Sequence, residues 1–62
     1  NKNEQAILNL LVTTPGLNAS EISKHINKSL RTTMRYIKTL QNRNLIEFRG
    51  APKTGGYSLV QI

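Results

Sequence analysis

Cationic side chains recur at helical spacing in the middle of the chain, where Arg31, Arg35 and Lys38 lie within residues 29–43. At about 100° per residue these three side chains fall on one side of a helix, and Asn42 follows them on the same side. The segment contains no acidic residue that could neutralise them. Such a face is suited to binding the phosphates and base edges of a nucleic acid, and the alternative is a solvated basic surface.

The opposite side of the same helix is suited to a small hydrophobic core. Met34 and Tyr36 lie at its margins, and its centre is formed by Leu30, Thr33, Ile37 and Leu40. Apolar residues three and four positions apart form one stripe of a helix. The helix is therefore predicted to pack through this stripe and to present its cations outward.

Two shorter helices are predicted upstream. The first spans residues 3–13 and ends before Pro15 and Gly16, after which Leu17 is expected to be extended. Asn18 and Glu21 have the spacing of a capping box, which predicts a second helix over residues 19–26. Asn27 is expected to reverse the chain in a left-handed conformation, and Ser29 is expected to cap the long helix.

Alternating residues after the long helix predict a β-hairpin. Asn44 is expected to end the helical turn, strands are predicted at 45–49 and 57–62, and residues 51–56 form a six-residue loop. Gly55, Gly56 and Lys53 in this loop are expected to leave backbone room and a charge for a phosphate. A short helix, a turn and a basic helix followed by a hairpin predict an α+β fold with a helix-turn-helix unit.

Composition limits the other functions. The 62 residues predict a single domain, 1–62, and the absence of cysteine excludes disulfides and thiolate metal sites. Nine Lys/Arg against three Asp/Glu give a net charge of +6, which favours a polyanionic partner. No cofactor, metal or enzymatic activity is expected, because the single histidine, His25, and the scattered acids form no ligand or catalytic set. The start at Asn1 predicts excision from a longer protein.

The order of these elements resembles the winged helix-turn-helix family over essentially the whole chain. Residues 21–29 are similar to the second helix and turn of that family, and residues 33–46 to its recognition helix and first wing strand. The ending Lys53-Thr54-Gly55-Gly56-Tyr57-Ser58-Leu59 is similar to C-terminal winged domains of bacterial RecG-related putative DNA helicases or transcriptional regulators. The resemblance implies a cytoplasmic module for transcriptional regulation or for targeting a larger protein to DNA.

The family's binding mode implies that the N-terminal half of the long helix enters the DNA major groove. The residues expected to face base edges and nearby phosphates are Ser29, Arg31, Thr32 and Arg35, and Lys38 is expected near the backbone. On the wing, Arg49 and Lys53 are expected to meet phosphates. The Z-DNA-binding branch is not expected, because Met34 and Lys38 stand at the places of its characteristic Asn and Tyr, and the chain has no Trp.

Other binding modes remain open from the sequence. Leu8 and Val12 are partly surplus to a three-helix core, so a protein-interaction or dimerisation domain without autonomous DNA binding is the main alternative. A homodimer or the remainder of a parent protein is expected as a further partner. Single-stranded nucleic acid is less favoured, because the chain has only three aromatic residues, and Tyr36 and Tyr57 are expected at the edges of the core.

Overall fold

The computed structural model of the chain describes residues 2–51 and 54–60. Its helices are α1 (Lys2–Thr13), α2 (Ala19–Ile26) and α3 (Leu30–Asn42), and its strands are β1 (Ile46–Arg49) and β2 (Gly56–Leu59). This order confirms the predicted α+β architecture of three helices followed by a two-stranded hairpin. In the described part of the chain, no helix has both the length and the apolar character needed to cross a membrane.

The turn between α1 and α2 brings the two helices together. The Thr14 amide continues the helical pattern by donating to the Leu10 carbonyl, and Gly16 then takes a φ of 90° that reverses the chain. Ile7 and Leu11 are the buried residues of α1, as their helical spacing indicates. The helix starts one residue earlier than predicted.

Both ends of α2 confirm the prediction. The Glu21 amide donates to the Asn18 side chain over 2.8 Å, and the Asn18 amide donates to the Glu21 carboxylate over 3.1 Å. This capping box satisfies amides that have no partner inside the helix. Asn27 ends the helix with φ at 58°, in the left-handed region that asparagine tolerates.

Helix α3 is buried through Thr33, Ile37 and Leu40, as predicted. The prediction for Leu30 is wrong, because its side chain is 50% exposed. Leu30 is the first residue of the helix, so its side chain projects past the layer of core residues that Thr33 and Ile37 enter. Asn44 follows the helix with φ at 60°, which confirms the predicted left-handed turn.

The hairpin is antiparallel, and Ile46 pairs with Leu59 while Arg49 pairs with Gly56. Strand β1 starts one residue later than predicted and β2 one residue earlier, and the predicted residues 61–62 lie outside the described residues. Leu17 forms an isolated bridge with Tyr57, as its predicted extended conformation suggests. The Tyr57 amide donates to the Leu17 carbonyl over 2.8 Å, so β2 joins the hairpin to the helices.

The hairpin approaches the turn between α1 and α2 so closely that Gly56 has no room for a side chain. A Cβ atom on Gly56 would collide with the carbonyl group of Gly16, and one on Gly55 would lie 2.7 Å from the Ala51 oxygen. The chain's own backbone therefore fills the space beside these two glycines, and the approach of a phosphate to this loop stays a prediction. One core unites all elements and consists of Ile7, Leu11, Leu17, Ile22, Ile37, Leu40, Ile46 and Tyr57.

Candidate nucleic-acid interface

The outer face of α3 presents three exposed cations, Arg31, Arg35 and Lys38. Because the core side of the helix is anchored by fully buried residues, the rotation of α3 about its axis is fixed. The three cationic groups are therefore held on the side directed to solvent. The sequence-based assignment of these residues to the exposed face is confirmed; their contact with DNA stays a prediction.

The first turn of α3 adds two hydroxyl groups beside these cations. The Ser29 side chain accepts a bond from the Thr32 amide over 3.2 Å, and it donates to the Thr32 hydroxyl over 3.0 Å. The Thr32 hydroxyl thus accepts from Ser29 and retains its own proton for an outside acceptor. The positive end of the helix dipole lies at this same turn, where an anion such as phosphate is favoured.

All three acidic residues of the chain are engaged away from this face. Glu4 lies 3.5 Å from Arg43, Glu47 lies 2.6 Å from Arg49, and Glu21 belongs to the capping box of α2. Over residues 2–51 and 54–60, these are the two ion pairs. Five cations from α2 to α3, one of them in the turn between the helices, have no ion pair within this range: Lys24, Lys28, Arg31, Arg35 and Lys38.

The predicted wing residues differ from those of α3. The Arg49 guanidinium is exposed, but its Nε atom is already held by the Glu47 carboxylate. Sequence reasoning missed this pair, although residues two apart on a strand share one face and their opposite charges could have indicated it. Lys53 lies outside the described residues. The structure thus brings Ser29, Arg31, Thr32, Arg35 and Lys38 onto one helix, and Arg49 lies on a separate element.

The two tyrosines are engaged within the fold. Tyr57 is 8% exposed and makes an edge-to-face contact with Phe48, with ring centroids 5.2 Å apart. Tyr36 is partly buried, and its hydroxyl accepts a bond from the Asn3 amide group over 2.9 Å. The expectation that both lie at the edge of the core is confirmed for Tyr36, whereas Tyr57 belongs to the core itself. Stacking on unpaired bases would require these rings to leave their present contacts.

A shallow cleft of about 340 Å³ lies between the end of α1 and the hairpin. Val12, which is 64% exposed, contributes apolar surface to it. The other lining residues are Leu11, Pro15, Arg49, Ser58 and Leu59. The described residues contain no group of three or more potential His, Asp or Glu ligands for a metal ion, here or elsewhere. The lining of the cleft is a mixture of apolar and polar surface, and Arg49 is the cation in it.

Comparison with solved structures identifies a close likeness in fold. The homodimeric winged helix-turn-helix DNA-binding domain (fragment 1–100) of Mb0332 from Mycobacterium bovis, described as a possible ArsR-family transcriptional regulator, superposes with a TM-score of 0.86. The two sequences are 21% identical, and the match covers 98% of this chain and 56% of that chain. This chain therefore spans little more than half of the domain it resembles.

A search of curated protein sequences gives no match. The family model for winged helix-turn-helix DNA-binding domains matches residues 1–47, which include all three helices and the start of β1. The matched segment contains most of the chain and the whole helix-turn-helix unit. The chain belongs to the winged helix-turn-helix DNA-binding family.

Proposed function

We propose that this domain binds double-stranded DNA by placing α3 in the major groove, with the wing (residues 49–56) on the adjacent backbone. The observation that carries the proposal is the uneven use of charge. The acids are engaged in local contacts, whereas the cations of α2 and α3 have no ion pair among the described residues. Phosphates are the partners that an exposed stripe of this kind neutralises most readily.

The individual roles follow from position along α3. Arg31 and Arg35 lie one helical turn apart on the exposed face, so both reach base edges, where guanine accepts a bidentate bond from arginine. Ser29 and Thr32 meet a phosphate at the N-terminus of the helix. Lys38 lies a further turn along and contacts the backbone as the groove curves away from the helix.

The wing has a smaller role in this proposal. Arg49 and Lys53 approach phosphates beside the groove, but Arg49 must share its guanidinium with Glu47. An arginine already paired with a carboxylate gains less electrostatic free energy from a phosphate than an unpaired arginine does. The attraction to the phosphate then partly replaces the attraction to the carboxylate. The helix is therefore expected to supply most of the affinity.

Affinity considerations connect the domain to a larger assembly. If the cations of α2 and α3 neutralise four or five phosphates, the logarithm of the association constant should fall with the logarithm of salt at a slope of about −4. A single copy should then bind non-specific duplex with a dissociation constant of about 10⁻⁴ to 10⁻⁶ M at physiological salt. Tight binding requires a second copy or the rest of a parent protein, as in a transcriptional regulator or a larger protein targeted to DNA.

An NMR titration with a mixed-sequence duplex at two salt concentrations tests the proposal. Amide shifts should concentrate in residues 29–38 and, more weakly, in residues 49–56, and they should shrink with added salt. Lys2→Gln provides a matched control, because it removes one positive charge from α1 and leaves α3 intact. Absence of shifts at low salt, or shifts that ignore salt, would reject autonomous duplex binding.

A second candidate function is self-association through α1. The exposed Val12 and the adjoining cleft favour it, and the similar domain from Mycobacterium bovis is homodimeric. A dimer with no DNA affinity would make the basic face a site for an acidic protein surface instead. Sedimentation over a range of concentrations separates these functions, because association through this surface should be lost in Val12→Glu whereas DNA binding by α3 should persist.

A further inference from the structure

Two exposed apolar side chains on α3 are not explained by the fold. Leu30 is 50% exposed and Met34 is 40% exposed, and neither belongs to the core cluster or packs against it as a partly buried neighbour. Leucine and methionine at exposed positions of a basic helix cost solubility without contributing to the core. Their position on the element proposed to enter DNA suggests a role in recognition.

The spacing of Leu30 and Met34 makes them one small patch. They are four residues apart, so they lie one above the other on the helix surface, about a quarter turn from the line of Arg31 and Arg35. The major groove is about 12 Å wide, similar to the diameter of a helix with its side chains. A helix inserted through its cationic line therefore places both of its flanks against base edges.

The flanks of α3 are chemically different. Leu30 and Met34 make one flank apolar, whereas Thr32 and Thr39 put hydroxyl groups on the other. The Thr39 hydroxyl is bonded to the Arg35 carbonyl, so that flank is polar but partly engaged within the helix. In the major groove the apolar group of a base pair is the methyl at C5 of a pyrimidine.

We propose that Leu30 and Met34 contact the C5-methyl group of a pyrimidine that neighbours a guanine bound by Arg31 or Arg35. This inference rests on the proposed DNA-binding function and adds sequence preference to it. The adjoining unpaired cations favour a polyanion as occupant of the patch over an apolar protein surface, because a protein partner would have to desolvate them. The shared chemistry, a C5-methyl group, occurs in thymine and in 5-methylcytosine.

The experiment begins with selection from a randomised duplex pool, followed by synthesis of the recovered sequence in four forms. One form contains thymine, one has deoxyuridine in its place, and one has a 5-methylcytosine–guanine pair at the same position, with unmethylated cytosine for reference. Loss of a contacted methyl should weaken binding about fourfold, from the transfer free energy of one methyl-sized group. The 5-methylcytosine duplex should bind more tightly than its unmethylated counterpart by a similar factor.

Variants of the two side chains assign the effect to the patch. In Met34→Ala and Leu30→Ala the difference in affinity between the thymine and deoxyuridine duplexes should shrink toward none. Because wild type and variants are compared on the same two duplexes, any effect of the methyl group on DNA stiffness cancels from the comparison. Val12→Ala is the matched control, because it truncates an exposed apolar residue of α1 and should leave the difference unchanged. Both substituted residues of α3 are at the surface, so circular dichroism should show an intact fold.

The outcomes separate this inference from the function beneath it. Salt-dependent duplex binding with equal affinity for thymine and deoxyuridine would overturn the methyl contact and leave the proposed function standing. An undiminished difference in both alanine variants would also overturn it, since the methyl would then be read elsewhere. Failure to bind any duplex at low salt would reject both proposals. A preference for thymine with no response to 5-methylcytosine would restrict the contact to thymine.

Discussion

Helix α3 and strand β1 carry their cations in opposite electrostatic settings. Arg31, Arg35 and Lys38 are exposed on α3 without an ion pair in the described part of the chain, whereas Arg49 on β1 is held by Glu47 at 2.6 Å. Equal formal charges on the two elements are therefore unequal in their availability to a polyanion. A count of basic residues therefore overstates the charge that Arg49 can offer to a polyanion.

The same two elements also differ in how completely their packing is satisfied. The wing meets the turn between α1 and α2 at Gly56, where no Cβ atom fits beside Gly16. On α3 the buried hydroxyl of Thr33 has no hydrogen-bond partner among the described residues. The wing is thus held by a steric fit with no spare volume, and the helix retains a polar group that its packing does not satisfy.

The largest effect is expected from Gly56→Ala. The added methyl group would meet the Gly16 backbone, and a backbone cannot move aside as a flexible side chain can. We expect the free energy of unfolding to fall by about 3 kcal/mol or more, measured by chemical denaturation. Gly55→Ala is a companion variant, because its added methyl group would also meet backbone, at the Arg49 and Ala51 oxygens, but only within the hairpin. A loss below about 1 kcal/mol for Gly56→Ala would show that the hairpin is not anchored at the turn between α1 and α2.

Arg35→Gln and Arg49→Gln test the electrostatic contrast directly. The helix variant should weaken duplex binding by about 1–3 kcal/mol, because it removes an unpaired guanidinium proposed to reach a base. The wing variant should cost about twofold in affinity, since Glu47 already neutralises much of its charge. Fluorescence anisotropy with Lys2→Gln as the charge-matched control measures both. Equal losses at the two positions would contradict the unequal roles of helix and wing.

Thr33→Val tests whether a change on the core side of α3 alters stability without altering DNA affinity. Removing a buried hydroxyl that has no partner should raise the free energy of unfolding by about 1 kcal/mol, while valine keeps the branched shape of the side chain. DNA affinity should be unchanged, because Thr33 lies on the core side. Thermal denaturation and the anisotropy titration provide the two readings. A stability loss would indicate that the hydroxyl is satisfied by a bond or a water molecule in solution.

The smallest effect is expected from Glu47→Gln. This change releases Arg49 and raises the net charge of the chain by one, so duplex affinity should increase about twofold and the salt slope should steepen by less than one. Salt titrations of the wild-type and variant domains check both quantities. Weaker binding by the variant would mean that the Glu47 carboxylate orients Arg49 toward the phosphate instead of competing with it.

Local sequence signals were sufficient for most of the fold. The capping box of Asn18 and Glu21, and the left-handed turns at Asn27 and Asn44, depend on side chains within a few residues of one another. Such signals can be read without knowledge of the tertiary structure. The alternation in the hairpin similarly predicted two strands, whose starts are displaced by one residue, and Val60, predicted to lie in the second strand, follows its end at Leu59.

What the sequence did not predict depends on residues far apart in the chain. Gly56 could be placed in β2 only once the path of Gly16 was known, because the close approach joins segments forty residues apart. The bond from Asn3 to Tyr36 likewise joins α1 to the middle of α3 across 33 residues of sequence. The exposure of Leu30 depends on where the core ends. For the candidate interface, spacing predicted which cations share a face, but the pairing of Arg49 with Glu47 was overlooked.

The local engagement of all three acids has a kinetic consequence. It leaves Arg31, Arg35 and Lys38 unpaired among the described residues on one face of α3, so the field of DNA should exert a torque on the domain before any contact is made. The domain should arrive with α3 already turned toward the duplex. Its association rate should exceed the 10⁵–10⁶ M⁻¹s⁻¹ that is roughly typical of unsteered encounters, and it should decrease as salt screens the approach.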